Sequence, residues 1–135
     1  MRTAIGLLLL SLTLPALAAG KPAPWVSFKS GEISGFGKVT YQLDPASIRN
    51  EGGYKTFSAR AWRTEQKQSL AFGSNEQLFF LSQKYAVDCA QKRFGSRFID
   101  SNMPSQKKRI ATLDKMDWVD FKKVPAVARA VCGEK

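Results

Sequence analysis

The residue types that most often carry chemistry are sparse in this chain. There is no histidine among its 135 residues. That excludes Ser-His-Asp and Cys-His nucleophilic sites, and it removes the commonest zinc ligand and the usual proton shuttle at neutral pH. The only two cysteines, Cys89 and Cys132, stand 43 positions apart. With no C-x-x-C spacing and no imidazole to activate a thiolate, they read as one structural disulfide formed in an oxidising compartment. On the chain-entropy estimate, closing a loop of that length contributes about 4 kcal/mol, a large share of the roughly 5–15 kcal/mol that holds a domain folded. Oxidised cysteines leave no site for soft metals, so no cofactor is expected. One simple catalytic option remains, a pair of carboxylates as in glycoside hydrolysis. Asp114, Asp117 and Asp120 recur every three residues and would align on a helix. Trp118 and Phe121 fall on the neighbouring stripe, however, and interleaved apolar and acidic positions are more simply an amphipathic segment.

Basic residues are the other group with functional reach. Lys107, Lys108 and Arg109 form a run, Lys84, Lys92, Arg93 and Arg97 flank an expected hairpin, and Lys122 and Lys123 precede the last helix. If the loops converge, these side chains give one strongly positive face. Contact with a polyanion needs charge density and little shape, so it should be salt-dependent and poorly selective. The chain carries 21 Lys and Arg against 11 Asp and Glu, a formal charge of +10. Such a balance favours sulfated glycans, lipopolysaccharide phosphates or anionic cell-wall polymers as partners, and it also keeps an exported protein in solution. Nucleic acid is not expected: export separates the two, and strand alternation places Phe94 and Phe98 in the core rather than between the charges as stacking platforms.

The elements that must position these groups begin after residue 19. Arg2, the apolar run Ile5-Gly6-Leu7-Leu8-Leu9-Leu10 and the small residues Ala16-Leu17-Ala18-Ala19 have the form of a cleaved secretory leader. The mature domain then runs over 20–135 as a single unit with a charge of +9, since Arg2 leaves with the leader. No Cys follows the apolar run, so no lipid anchor is expected, and the location is periplasmic or secreted.

Within the domain, Trp25–Phe28, Lys38–Leu43 and Tyr54–Arg63 read as strands by their alternation. They are separated by glycines at 31, 35 and 37, by the turn Asp44-Pro45-Ala46-Ser47-Ile48, and by Gly52-Gly53. Residues 64–77 are polar around Leu70-Ala71-Phe72 and read as a long exposed loop. Leu78–Cys89 reads as two strands or one bent one. Gly95-Ser96 signals a hairpin returning through Arg97–Asp100, followed by a polar loop over Ser101–Lys108. Trp118–Phe121 reads as a short apolar staple against the sheet. Pro125 suits the first position of a helix that Gly133 stops, with Val127, Ala128 and Val131 on its buried face and Cys132 reaching Cys89. The fold expected is α+β, a single domain with an antiparallel β-sheet of about five to six strands, a C-terminal α-helix packed on it and one disulfide.

The order of several landmarks resembles the surface-adhesin protein E family of exported bacterial proteins. They are Trp25 at the start; Tyr41-Gln42-Leu43-Asp44-Pro45-Ala46-Ser47-Ile48-Arg49 before a glycine turn; Asp88-Cys89 followed by basic residues; Trp118; and Pro125 leading to Val131-Cys132. The resemblance spans nearly all of 20–135 and implies an antiparallel sheet tied to a C-terminal helix by a disulfide. The family takes its name from a lipid-anchored adhesin that contacts host matrix proteins. This chain lacks a lipid-attachment Cys, and no ligand-binding residue carries over. The function expected is that of a non-catalytic exported binding protein whose basic loop face contacts an anionic glycan, a cell-envelope component or a protein. The alternative is a periplasmic inhibitor or assembly factor docking through the 64–77 loop, with Leu70 and Phe72 exposed. An inhibitor of lysozyme is disfavoured, because that target is itself cationic.

Overall fold

Glycine makes the first reversal. β1 (Val26–Ile33) and β2 (Gly37–Leu43) pair antiparallel across a turn in which Gly35 and Gly37 hold φ at 83° and 79°, backbone that few side chains tolerate. The structure, a computed structural model, describes residues 24–135 except Asn75; the leader expected over residues 1–19 lies outside the described residues. After β2 the chain steps out through a 3-10 turn at Pro45–Ser47. Asp44 Oδ1 accepts from the Ala46 amide at 3.0 Å, while Ser47 Oγ donates to the Asp44 carbonyl and accepts from the Ser58 amide, both at 2.7 Å. The D-P-x-S turn is therefore a clamp on the neighbouring strand. The short β3 (Arg49–Glu51) then turns at Gly52-Gly53 into β4 (Tyr54–Arg63), the longest strand.

β5 (Gln68–Ser69) returns along the end of β4. β6 (Ala71–Ser74) and β7 (Gln77–Phe80) form a separate two-stranded hairpin, and β8 (Ser82–Asp88) re-enters the main sheet beside β4. β9 (Arg93–Gly95) and β10 (Asp100–Ser101) both pair with β8, and β11 (Trp118–Asp120) pairs with β9. The order β1-β2-β4-β8-β9-β11 makes an antiparallel half-barrel. The single α-helix among the described residues, α1 (Pro125–Cys132), closes one end of its inner face.

Alternation decides which side chains face inward. Leu43 of β2, Phe57 and Ala59 of β4, Tyr85 and Val87 of β8 and Phe94 of β9 meet Val127, Ala128 and Val131 of α1 in one buried cluster. Aromatic rings dominate it: Phe57, Tyr85 and Phe94 lie nearly parallel with centroids 5.6–6.1 Å apart, and Phe28 meets all three edge-on. Pro125 opens α1 and Gly133 ends it at φ 67°, its amide returning to the last carbonyls, as the local sequence requires. Cys132 at the end of α1 is bonded to Cys89 just beyond β8. The α+β fold, the single domain and the disulfide are thus as expected.

Five details differ from the sequence reading. Residues 64–77 are not an open loop, and Leu70 is 1% exposed. Its amide donates to Ala61 and its carbonyl accepts from Leu81, and the side chain packs in one buried cluster with Ala61 and Leu81. The hairpin expected at Gly95-Ser96 is made earlier, across residues 89–92, where Lys92 takes φ 52°. Gly95 serves close packing instead: a Cβ there would stand 2.9 Å from Met116 Sδ and 3.1 Å from the Ala86 carbonyl. The returning segment pairs with β8 rather than β9, through Asp100↔Lys84. Trp118–Asp120 is a strand of the sheet rather than a staple on it, and Pro104–Arg109 is a 3-10 helix rather than an irregular loop.

Candidate functional site

The inner face of the half-barrel is filled at one end and open at the other. Towards α1 the positions hold Leu43, Phe57 and Val87. Further along the same strands they hold Tyr41, Ala61 and Gln83, and among the described residues no helix covers them. The result is a cleft of about 440 Å³. Ile33, Phe36, Phe72 and Leu81 give it an apolar wall, Gln83 and Tyr85 lie on its strand side, and Ser96, Phe98 and Gln106 come from the long connection between β9 and β11.

Three cations complete the lining: Lys29, Arg97 and Arg109. Lys29 arrives through a fault in β1. The ladder pairs Ser27 with Gln42 and Lys29 with Tyr41, so one residue, Phe28, is extra. A bulge of this kind interrupts the alternation. Phe28 enters the aromatic core, and Lys29, directly across from Tyr41, faces the cleft with Nζ 5.5 Å from the Tyr41 ring centroid. Arg97 Nη2 donates to the Arg109 carbonyl at 3.3 Å, which joins the two arginine segments at the rim.

The polar groups beside the cations stay neutral at physiological pH. Burial pushes the Tyr85 hydroxyl well above its ordinary value, and it donates to Gln83 Oε1 at 3.0 Å. Burial also raises Tyr41, with the positive charge of Arg109 pulling the other way. The ionised groups on the lining are therefore all positive, and no Asp or Glu is among the described residues that form it. A site of this composition attracts an anion, offers hydroxyl and amide groups to orient it, and has no carboxylate to repel it.

Of the nine basic residues singled out in the sequence, the seven of the run and the expected hairpin separate into different settings. Arg97 and Arg109 line the cleft. Lys84 pairs with Glu51 at 2.7 Å, Lys92 with Glu134 at 3.6 Å, Arg93 with Asp88 at 3.0 Å and Lys107 with Asp100 at 3.3 Å. Arg93 also lies over the Trp118 ring at 4.3 Å. The Asp100 carboxyl is held below its usual value, first by the Ser101 amide and then by Lys107. Lys108 is exposed on the 3-10 helix. Lys29 escaped the sequence reading because nothing local marks a bulge.

Asp114, Asp117 and Asp120 do not share a face. Asp114 lies in a 3-10 turn, Asp117 in the link after it and Asp120 at the end of β11, where its side chain caps the Lys122 amide at 2.8 Å. Among the described residues, no three of His, Cys, Asp and Glu are grouped as metal ligands, and no helix is long and apolar enough to cross a membrane. The β6–β7 hairpin stands beside the cleft and carries three consecutive large apolar side chains that are exposed. Leu78, Phe79 and Phe80 are 59%, 54% and 57% exposed. Asn102 anchors its exit, donating to the Phe80 carbonyl at 2.6 Å and accepting from the Ser82 amide at 2.8 Å.

The sequence matches no family model, and comparison with curated proteins and with solved structures returns no match.

Proposed function

We propose that this chain is an exported, non-catalytic binding protein that takes an anionic ligand, from a glycan, a cell-envelope component or a protein, at the cleft between the open end of the sheet and the connection bearing Arg97 and Arg109. One observation carries the reading: three cations from separate parts of the chain converge on one concave surface with no carboxylate among the described residues that line it. Convergence of this kind raises the local concentration of an anion and strengthens its hydrogen bonds where solvent is partly excluded. The absence of histidine and the scatter of the three aspartates favour binding over catalysis. The disulfide favours an oxidising compartment, periplasmic or extracellular. Kinship with the surface-adhesin protein E proteins belongs to the same proposal and rests on the shared order of landmarks.

Retention on immobilised heparin, lipopolysaccharide and peptidoglycan at two ionic strengths tests the reading. Salt-sensitive retention on at least one is expected. Lys29→Gln with Arg109→Gln should reduce it more than Lys107→Gln with Lys108→Gln, because Lys107 already has Asp100 as its partner. No salt-sensitive retention on any of the three overturns it. A second reading, docking on a partner protein, is favoured by the exposed Leu78, Phe79 and Phe80 of the hairpin. It replaces the 64–77 loop with residues 71–80, since Leu70 is buried.

A further inference from the structure

The cleft has two chemically different sides, and only one of them suits a purely polar anion. Arg97, Arg109 and Lys29 supply charge, while Ile33, Phe36, Phe72 and Leu81 form a continuous apolar wall. Phe36 and Phe72 meet edge-on with centroids 5.3 Å apart. Phe79 lies directly across from Phe72 in the hairpin ladder and so shares its face, carrying the apolar surface outward to solvent. A sulfated polymer would satisfy the arginines and leave this wall wet.

Resting on the reading that the cleft binds an anion, we propose that its ligand is a single-chain amphipathic monoanion of the fatty-carboxylate type. The head group lies at Arg97 and Arg109, and the tail runs along Ile33, Phe36, Phe72 and Leu81. The volume of about 440 Å³ falls in the range of small-molecule sites, roughly 300–1,000 Å³. A guanidinium suits a carboxylate because its donors are arranged as a planar fork. That of Arg97 is already tethered to the Arg109 carbonyl at 3.3 Å. The amides of Gln83 and Gln106 can donate to a head-group oxygen from the sides.

Titration calorimetry with dodecanoate below its micellar concentration, octanoate, butyrate, dodecanol as the neutral analogue, and a heparin oligosaccharide decides the matter on the intact domain. Dodecanoate should bind one to one and weaken by about three- to fourfold for each methylene removed. Arg109→Gln, a change at an exposed position that leaves the core untouched, should weaken it by about tenfold or more, and Phe72→Ala should do so with the melting temperature checked alongside. Dodecanol should bind much more weakly than dodecanoate. Butyrate binding as tightly as dodecanoate, or dodecanoate binding unchanged by Arg109→Gln, overturns the proposal. If dodecanoate fails while salt-sensitive heparin binding persists, the amphipathic ligand is wrong and the anion reading stands. If no anion binds, both fall.

Discussion

The two ends of the inner sheet face are built from the same strands by the same alternation, yet one is core and the other is a cleft. At the disulfide end, α1 lays Val127, Ala128 and Val131 on Leu43, Phe57 and Val87. At the far end the cover is piecemeal: a two-stranded hairpin contributes Phe72 and leaves Leu78, Phe79 and Phe80 outside, and the first turn adds Phe36. The difference lies in what covers the strands. An apolar side chain on a sheet becomes core only when a second layer lands on it. Here that layer is eight residues long, too short to reach across the whole face, and the remainder is left as a recess that cations from other segments can border.

Substitutions at the two ends should therefore differ in size. Phe57→Ala, at the centre of the ring cluster and fully buried, is expected to destabilise the domain by about 3–5 kcal/mol, read as a lower urea midpoint with an unchanged slope. A loss below about 1 kcal/mol would mean that the ring cluster is not the centre of stability. Replacing both Cys89 and Cys132 by serine should remove about 2–5 kcal/mol. Amide exchange should rise first in Pro125–Cys132 and only later at Tyr41 and Gln83. Simultaneous loss of protection at both ends would show that they form one cooperative unit. Phe79→Ser, a ring of the same type in the open hairpin, should change stability by no more than about 0.5 kcal/mol. If it proved as damaging as Phe57→Ala, the hairpin would be packed and the contrast between the ends would fail.

Much of the strand framework and of the closed end was legible in the sequence because its signals are local. Pro125 and Gly133 mark the ends of a helix regardless of its surroundings. The period of two over Val39-Tyr41-Leu43 and Phe57-Ala59-Ala61 needs only a pleated strand, and Asp44 and Ser47 make their hydrogen bonds largely within the turn that contains them. The open end was less legible. Leu78-Phe79-Phe80 is a continuous apolar run, normally the mark of a buried strand, and nothing within it says that no second layer will arrive. Leu70 sits among polar residues and read as exposed, although its backbone is held between Ala61 and Leu81. The basic residues posed the same difficulty in electrostatic form. Whether a lysine meets a carboxylate depends on residues as distant as Glu51 from Lys84, so a count of charges could not separate the paired from those lining the cleft.

Composition and spacing by themselves determined which chemistries this chain excludes, where β2, β4 and α1 lie, and that its two cysteines belong together. These follow from residue types and from periods that each element satisfies alone. Tertiary structure decided the site. A single extra residue at Phe28 put Lys29 on the inner face, and a long return placed Arg97 and Arg109 opposite it. Both depend on strand register and chain path, which arise only when distant segments pair and which no local pattern encodes.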